Sequence, residues 1–224
     1  VVVFAHGTRH RKARQRDDQC AVVLAQLRLG DECVGFRAGP VRLLRDRAGK
    51  IWVGGYGAGL QRIDRQAWHQ FGSQQVGCGI AVQPGTGAIW TVEHGTRGGD
   101  EVNLDRAGLN YGWPDAAYGV EYAGGAINSG ATQKDGTEQP VYYWDPVIAP
   151  GGAIFYQGAM FPGWDGNLLV AGLKEKHIAR LVIQNDRVVG EERLLTDLGE
   201  RIRDVAVGAD GSVWAITDEQ NGKL

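Results

Sequence analysis

Pro84-Gly85-Thr86-Gly87-Ala88-Ile89-Trp90-Thr91 reads as a tight glycine turn opening a strand of β-branched and aromatic residues. The pattern returns as Asp46-Arg47-Ala48-Gly49-Lys50-Ile51-Trp52-Val53, as Trp164-Asp165-Gly166-Asn167-Leu168-Leu169-Val170 and as Ala209-Asp210-Gly211-Ser212-Val213-Trp214-Ala215. Gly49, Gly87, Gly166 and Gly211 lie 38, 79 and 45 residues apart, so the middle gap is about double the others. A repeat of about 40–45 residues holding four short strands has the length of one β-propeller blade. The expected fold is all-β, a β-propeller, with chain for roughly four to four and a half blades. The aromatic after each turn is expected between neighbouring blades. A sandwich of unrelated hairpins is the competing reading.

Composition narrows the function. The chain has 224 residues, and 24 Lys+Arg against 26 Asp+Glu leave a net charge of −2. That balance offers no electrostatic attraction to nucleic acid or to an anionic membrane. Hydrophobic residues at 43% suffice for a sizeable core and exclude wholesale disorder, and 35 glycines with only 7 prolines fit many tight turns. No apolar run approaches the roughly 18 residues of a membrane span. The opening Val1-Val2-Val3-Phe4-Ala5 is too short for a signal-peptide core, so the chain reads as mature or lacking an N-terminal part. Cys20, Cys33 and Cys78 have no metal-ligand spacing and read as buried free thiols.

Between the second and third anchors, from Glu93 to about Gln139, the blade pattern gives way to what reads as a decorated loop, and long loops in compact folds are commonly functional. Residues 9–19 form a mixed charged run expected in solvent, and residues 21–29 fit strand or helix equally. The densest polar run is Glu93-His94-Gly95-Thr96-Arg97-Gly98-Gly99-Asp100-Glu101-Val102-Asn103, just past a strand expected over 88–92. Carboxylates among glycines suit a hard cation such as Ca²⁺, while a charged surface loop is the plainer alternative. Lys174 follows a strand expected over 167–171, where it either meets an anionic ligand or is simply solvated. In a strand, Arg201 and Arg203 face the same side. Either an anion with paired carboxylates neutralises both, or one pairs with Asp204 or Glu200 while the other is exposed.

The run from Glu93 to Asn103, followed by Gly108-Leu109-Asn110-Tyr111-Gly112-Trp113-Pro114, resembles the soluble quinoprotein aldose sugar dehydrogenases of the glucose/sorbosone dehydrogenase family. So do Ile148-Ala149-Pro150, Phe161-Pro162-Gly163-Trp164-Asp165-Gly166-Asn167-Leu168, Glu191-Glu192-Arg193-Leu194-Leu195 and Arg201-Ile202-Arg203-Asp204-Val205, in the family's order. The matching part runs from about Gly79 to Leu224, and residues 1–78 are divergent within what reads as one propeller domain. Residues 39–64 look more like a repeat of two-component-regulator propellers.

The resemblance implies a six-bladed propeller that holds pyrroloquinoline quinone (PQQ) and Ca²⁺ and oxidises an aldose at C1 to the lactone by hydride transfer. It also implies an external electron acceptor and a periplasmic or secreted location. Lys174, Arg201 and Arg203 match the residues that clamp the cofactor, His94 lies beside it, and Ala149 packs near it. Carbonyls at Gly95 and Thr96 match those holding the PQQ-bound Ca²⁺, with Thr96 standing where the family has Pro. Glu101 and Tyr111 match the ligands of a second, structural Ca²⁺.

The sequence departs from the family at the cofactor contacts that align with Gln75, Val76 and Cys78, and no histidine lies at Ala21–Ala25, where the catalytic base aligns. His6 and His10 match no motif, so the base is unassigned. A non-catalytic sensor or ligand-binding propeller is therefore the alternative, and a Ca²⁺-dependent lactone hydrolase a third reading.

Overall fold

Each of the four glycine-turn motifs contributes the second strand of a sheet. The structure is a computed structural model. It describes Lys50–Trp52 and residues 79–224 in full, and elsewhere only the backbone of individual strands. The first sheet pairs β1 (Gln26–Leu29) with β2 (Glu32–Gly35). The second is an antiparallel meander of β3 (Val41–Arg45), β4 (Ile51–Gly55), β5 (Gly59–Asp64) and β6 (Ala67–Phe71). The third joins β7 (Gly79–Val82), β8 (Ile89–Glu93), β9 (Asp100–Asp105) and β10 (Tyr142–Trp144). The fourth joins β11 (Pro150–Phe155), β12 (Leu168–Gly172), β13 (His177–Gln184) and β14 (Arg187–Leu194). A last hairpin pairs β15 (Ile202–Val207) with β16 (Val213–Thr217).

The first strands of successive sheets lie side by side, β7 against β3 and β11 against both β7 and β15. Each meander therefore runs outward from a shared inner edge, which is the radial order of propeller blades. Among the described residues no helix is long and apolar enough to cross a membrane.

Strand alternation divides the core between blades. From β12, Leu168 and Val170 face the third sheet, where they meet a cluster containing Trp90, Val92, Val102 and Phe155. Leu169 and Ala171 face the other way, onto Ile202 and Val205. Trp90 meets Phe155 edge to face at 5.6 Å and 82°. Trp52 packs with Ile80 and Ile89, so both tryptophans sit between blades as expected. Trp214 does not: it is half exposed on β16, the edge strand of a two-stranded sheet.

The segment read as one loop from Glu93 contains a strand, β9, paired along β8. Val102 and Leu104, with Asp100, supply one face, while Glu101, Asn103 and Asp105 form the opposite, polar one. Residues 1–25, including His6, His10 and Cys20, lie outside the described residues, as do Gln75, Val76 and Cys78.

Candidate functional site

The turn Ile148–Gly151, where the chain passes from the third sheet into β11, meets four of the candidate residues. Ala149 is held at φ 51°, in the left-handed region that non-glycine residues seldom occupy. Its amide donates to Asp100 Oδ2 at 2.7 Å, and its carbonyl accepts the Leu173 amide at 3.0 Å. The Ile148 carbonyl accepts the Lys174 amide at 2.9 Å. His94 Nε2 donates to the Pro150 carbonyl at 2.7 Å. Gly151 passes so near β15 that a Cβ there would stand 2.2 Å from the Arg203 carbonyl oxygen. His94, Ala149, Lys174 and Arg203 thus share one backbone junction.

Arg201 and Arg203 converge on one carboxylate. Arg201 Nε and Nη2 lie 3.2 and 3.1 Å from Asp218 Oδ2, and Arg203 Nη2 lies 2.7 Å from the same oxygen. Burial pushes the Asp218 carboxyl up, but hydrogen bonds and charge from Arg203 and Arg201 outweigh it and hold it below the usual carboxylate range. One of the two readings of the sequence paired one arginine with Asp204 or Glu200. The hairpin instead brings in Asp218, Glu200 pairs with Lys223, and Asp204 Oδ1 accepts the Val205 amide at 2.8 Å. Lys174 is exposed. Both guanidiniums thus share one Asp218 oxygen, and a second carboxylate lies beside them, Glu219 Oε1 accepting the Arg201 amide at 3.2 Å.

On the other side of His94, an open pocket is lined by Glu93, His94, Gly95, Thr96, Glu101 and Tyr111 among others. Register places Thr91, Glu93, Glu101, Asn103 and Asp105 on one face of β8 and β9. Burial, then the charges of Asp105 and Glu101, push the Glu93 carboxyl well above its ordinary value. Burial likewise raises Glu101 to about 7, against the hydrogen bond from Asn103 and with help from the charge of Asp100. It raises Asp105 to about 7 as well, against a 2.7 Å hydrogen bond from the Thr91 hydroxyl. Buried Asn103 donates through Nδ2 to Glu93 at 3.2 Å and Glu101 at 3.4 Å, while its Oδ1 has no partner among the described residues.

An unmet amide oxygen among carboxylates is donor chemistry that fits a hard cation. Among the described residues, however, no three His, Cys, Asp or Glu side chains are grouped as a metal cage. The Tyr111 hydroxyl is already engaged, accepting the Arg106 amide at 2.8 Å and donating to the Leu104 carbonyl at 2.7 Å. Thr96 donates its hydroxyl to the Val120 carbonyl, a bond proline cannot make, and so ties this loop to the one above it.

Sequence reasoning missed Asp105 and Asp218, whereas Asp100 and Asn103 lay in the run read as a candidate cation site. Asp218 lies 15 residues from Arg203, and only the β15–β16 pairing brings them together.

The sequence model of the Glucose / Sorbosone dehydrogenase family matches residues 63–224. The chain belongs to this family. It is 44% identical over 147 residues to the aldose sugar dehydrogenase YliI of Escherichia coli K12, an alignment covering 65% of this chain and 40% of that protein. The chain thus spans well under two thirds of that relative's length. The crystal structure of the apo-form of the soluble aldose sugar dehydrogenase from Escherichia coli superposes with a TM-score of 0.76 at 31% identity, covering 92% of this chain and 73% of that one. The PQQ-bound aldose sugar dehydrogenase from Streptomyces coelicolor shares the fold, with a TM-score of 0.63 at 18% identity over 83% of this chain and 59% of that one. These likenesses agree with the propeller read from the strand period.

Proposed function

We propose that this chain carries the cofactor-binding side of a PQQ- and Ca²⁺-dependent aldose dehydrogenase that oxidises the sugar at C1 to the lactone. The observation that carries the reading is the pair Arg201 and Arg203 converging on Asp218 Oδ2, beside the junction that also touches His94 and Lys174. PQQ bears three carboxylates, so a cluster of guanidinium and ammonium groups fits it, and bidentate guanidiniums suit planar carboxylates.

When bound, PQQ supplies a quinone that accepts the hydride from the sugar. The protein's part is to hold and orient: Lys174, Arg201 and Arg203 neutralise the cofactor's acidic groups, and Ala149 and His94 border it. His94, tied through Nε2 to Pro150, is assigned to cofactor contact and not to proton abstraction. Glu101 with the Tyr111 carbonyl would hold one Ca²⁺, and the carbonyls of Gly95 and Thr96 another. An external acceptor would reoxidise the cofactor, in the periplasm or outside the cell.

Equilibrium dialysis with PQQ in the presence of Ca²⁺ tests the reading. Saturable binding that falls at least tenfold in Arg203→Ala is expected, about 1.4 kcal/mol or more for a charge-assisted contact. Binding indifferent to that change would refute it. Saturable binding that yields no reduction with any aldose would support the non-catalytic alternative, which the departures at Gln75, Val76 and Cys78 favour.

A further inference from the structure

We propose that Asp100 is a positioning residue, whose buried carboxylate ties the His94–Gly95 loop to the Ile148–Gly151 turn and thereby fixes the spacing of His94, Lys174 and Arg203. Asp100 opens β9 and is 1% exposed. Its Oδ1 accepts the Gly95 amide and its Oδ2 the Ala149 amide, each at 2.7 Å, so one short side chain bridges two blades. The loop it holds has no slack, because a Cβ on Gly95 would stand 2.1 Å from the Gly98 carbonyl oxygen. The turn it holds has an intrinsic cost, since Ala149 at φ 51° stays left-handed only while its neighbours hold it.

From that turn the linkage continues. The carbonyls of Ala149 and Ile148 accept the amides of Leu173 and Lys174, the Pro150 carbonyl accepts His94, and Gly151 abuts Arg203. Asp100 touches none of Lys174, Arg203 or the His94 ring through a hydrogen bond of its own, yet the backbone that presents each of them meets the turn it anchors. An ionised carboxylate accepts on both oxygens, whereas an amide in its place accepts on one and presents its own N–H to the other partner.

The test is amide hydrogen exchange on the full chain, comparing Asp100→Asn and Asp100→Ala with the unaltered protein. Exchange about tenfold faster or more is expected at Gly95 and Ala149 and also at Leu173 and Lys174, with β13 and β14 unchanged. PQQ binding, where the proposed function holds, weakens about tenfold. Faster exchange confined to Gly95 and Ala149, with Leu173, Lys174 and PQQ affinity unaltered, would reduce Asp100 to a local cap and overturn the proposal. Should the unaltered chain bind no PQQ, the cofactor reading fails by itself, and exchange at Leu173 and Lys174 still decides this one. If neither variant folds, the unaltered protein decides: Gly95 and Ala149 must exchange far more slowly than the exposed loop at 121–125, and equal rates would overturn the proposal.

Discussion

Asp218 stands between two arginines, and its titration follows from that. Its carboxyl is held below the usual range in the folded chain, so the unfolded chain binds more protons as pH falls. The stability it contributes is present at neutral pH and is lost as pH drops through its lowered folded value. Thermal melts of Asp218→Asn should therefore lie below the unaltered protein at about pH 7, with the gap closing toward about pH 3; a gap that persists in acid would contradict the ion pair. Glu101 works in the opposite sense. Its carboxyl is raised to about 7, so the folded chain binds the extra proton, and stability falls as pH rises from its ordinary value toward 7. In calcium-free buffer at about pH 8, Glu101→Gln should melt above the unaltered protein, and adding Ca²⁺ should stabilise only the latter. Glu101 was legible in the sequence because it sits in the dense polar run Glu93–Asn103. Asp105 was not, because its place beside Glu93 depends on the register between β8 and β9.

Among the elements, the glycine-turn hairpins were the easiest to read, since β-branched and aromatic strands after a glycine turn need nothing from elsewhere in the chain. Gly166 at φ 77° and Gly211 at φ 85° occupy the conformations that such turns demand. β9 was hidden because alternation within a single six-residue strand is a weak signal against three carboxylates. The junction at β11 depends on close backbone approach, and Gly151→Ala should drive β11 away from β15. We expect a loss of about 1–3 kcal/mol in urea denaturation, from overpacking against a carbonyl that cannot move independently. Gly190→Ala, whose nearest described neighbour is Val182 Cγ2 at 3.7 Å, should leave stability nearly unchanged. Equal effects of the two would show that β11 and β15 are not in contact as described.

Across the whole molecule, the repeat length declared the propeller because blades are near-identical units stacked through their faces. What binds one blade to the next is less legible, since Trp52 and Trp90 occupy interfaces while Trp214, at the matching motif position, stands half exposed. Trp90→Ala, which empties the space beside Phe155, should cost about 3–5 kcal/mol and lower the unfolding midpoint of the third and fourth sheets together. Independent transitions for the two sheets would argue against a shared interface. The central claim concerns chemistry, and one titration addresses it: PQQ added to the full chain with Ca²⁺, followed by cofactor absorbance, and then an aldose. The account predicts stoichiometric binding and then bleaching to the reduced cofactor on adding sugar. A spectrum that stays that of free PQQ throughout would contradict it.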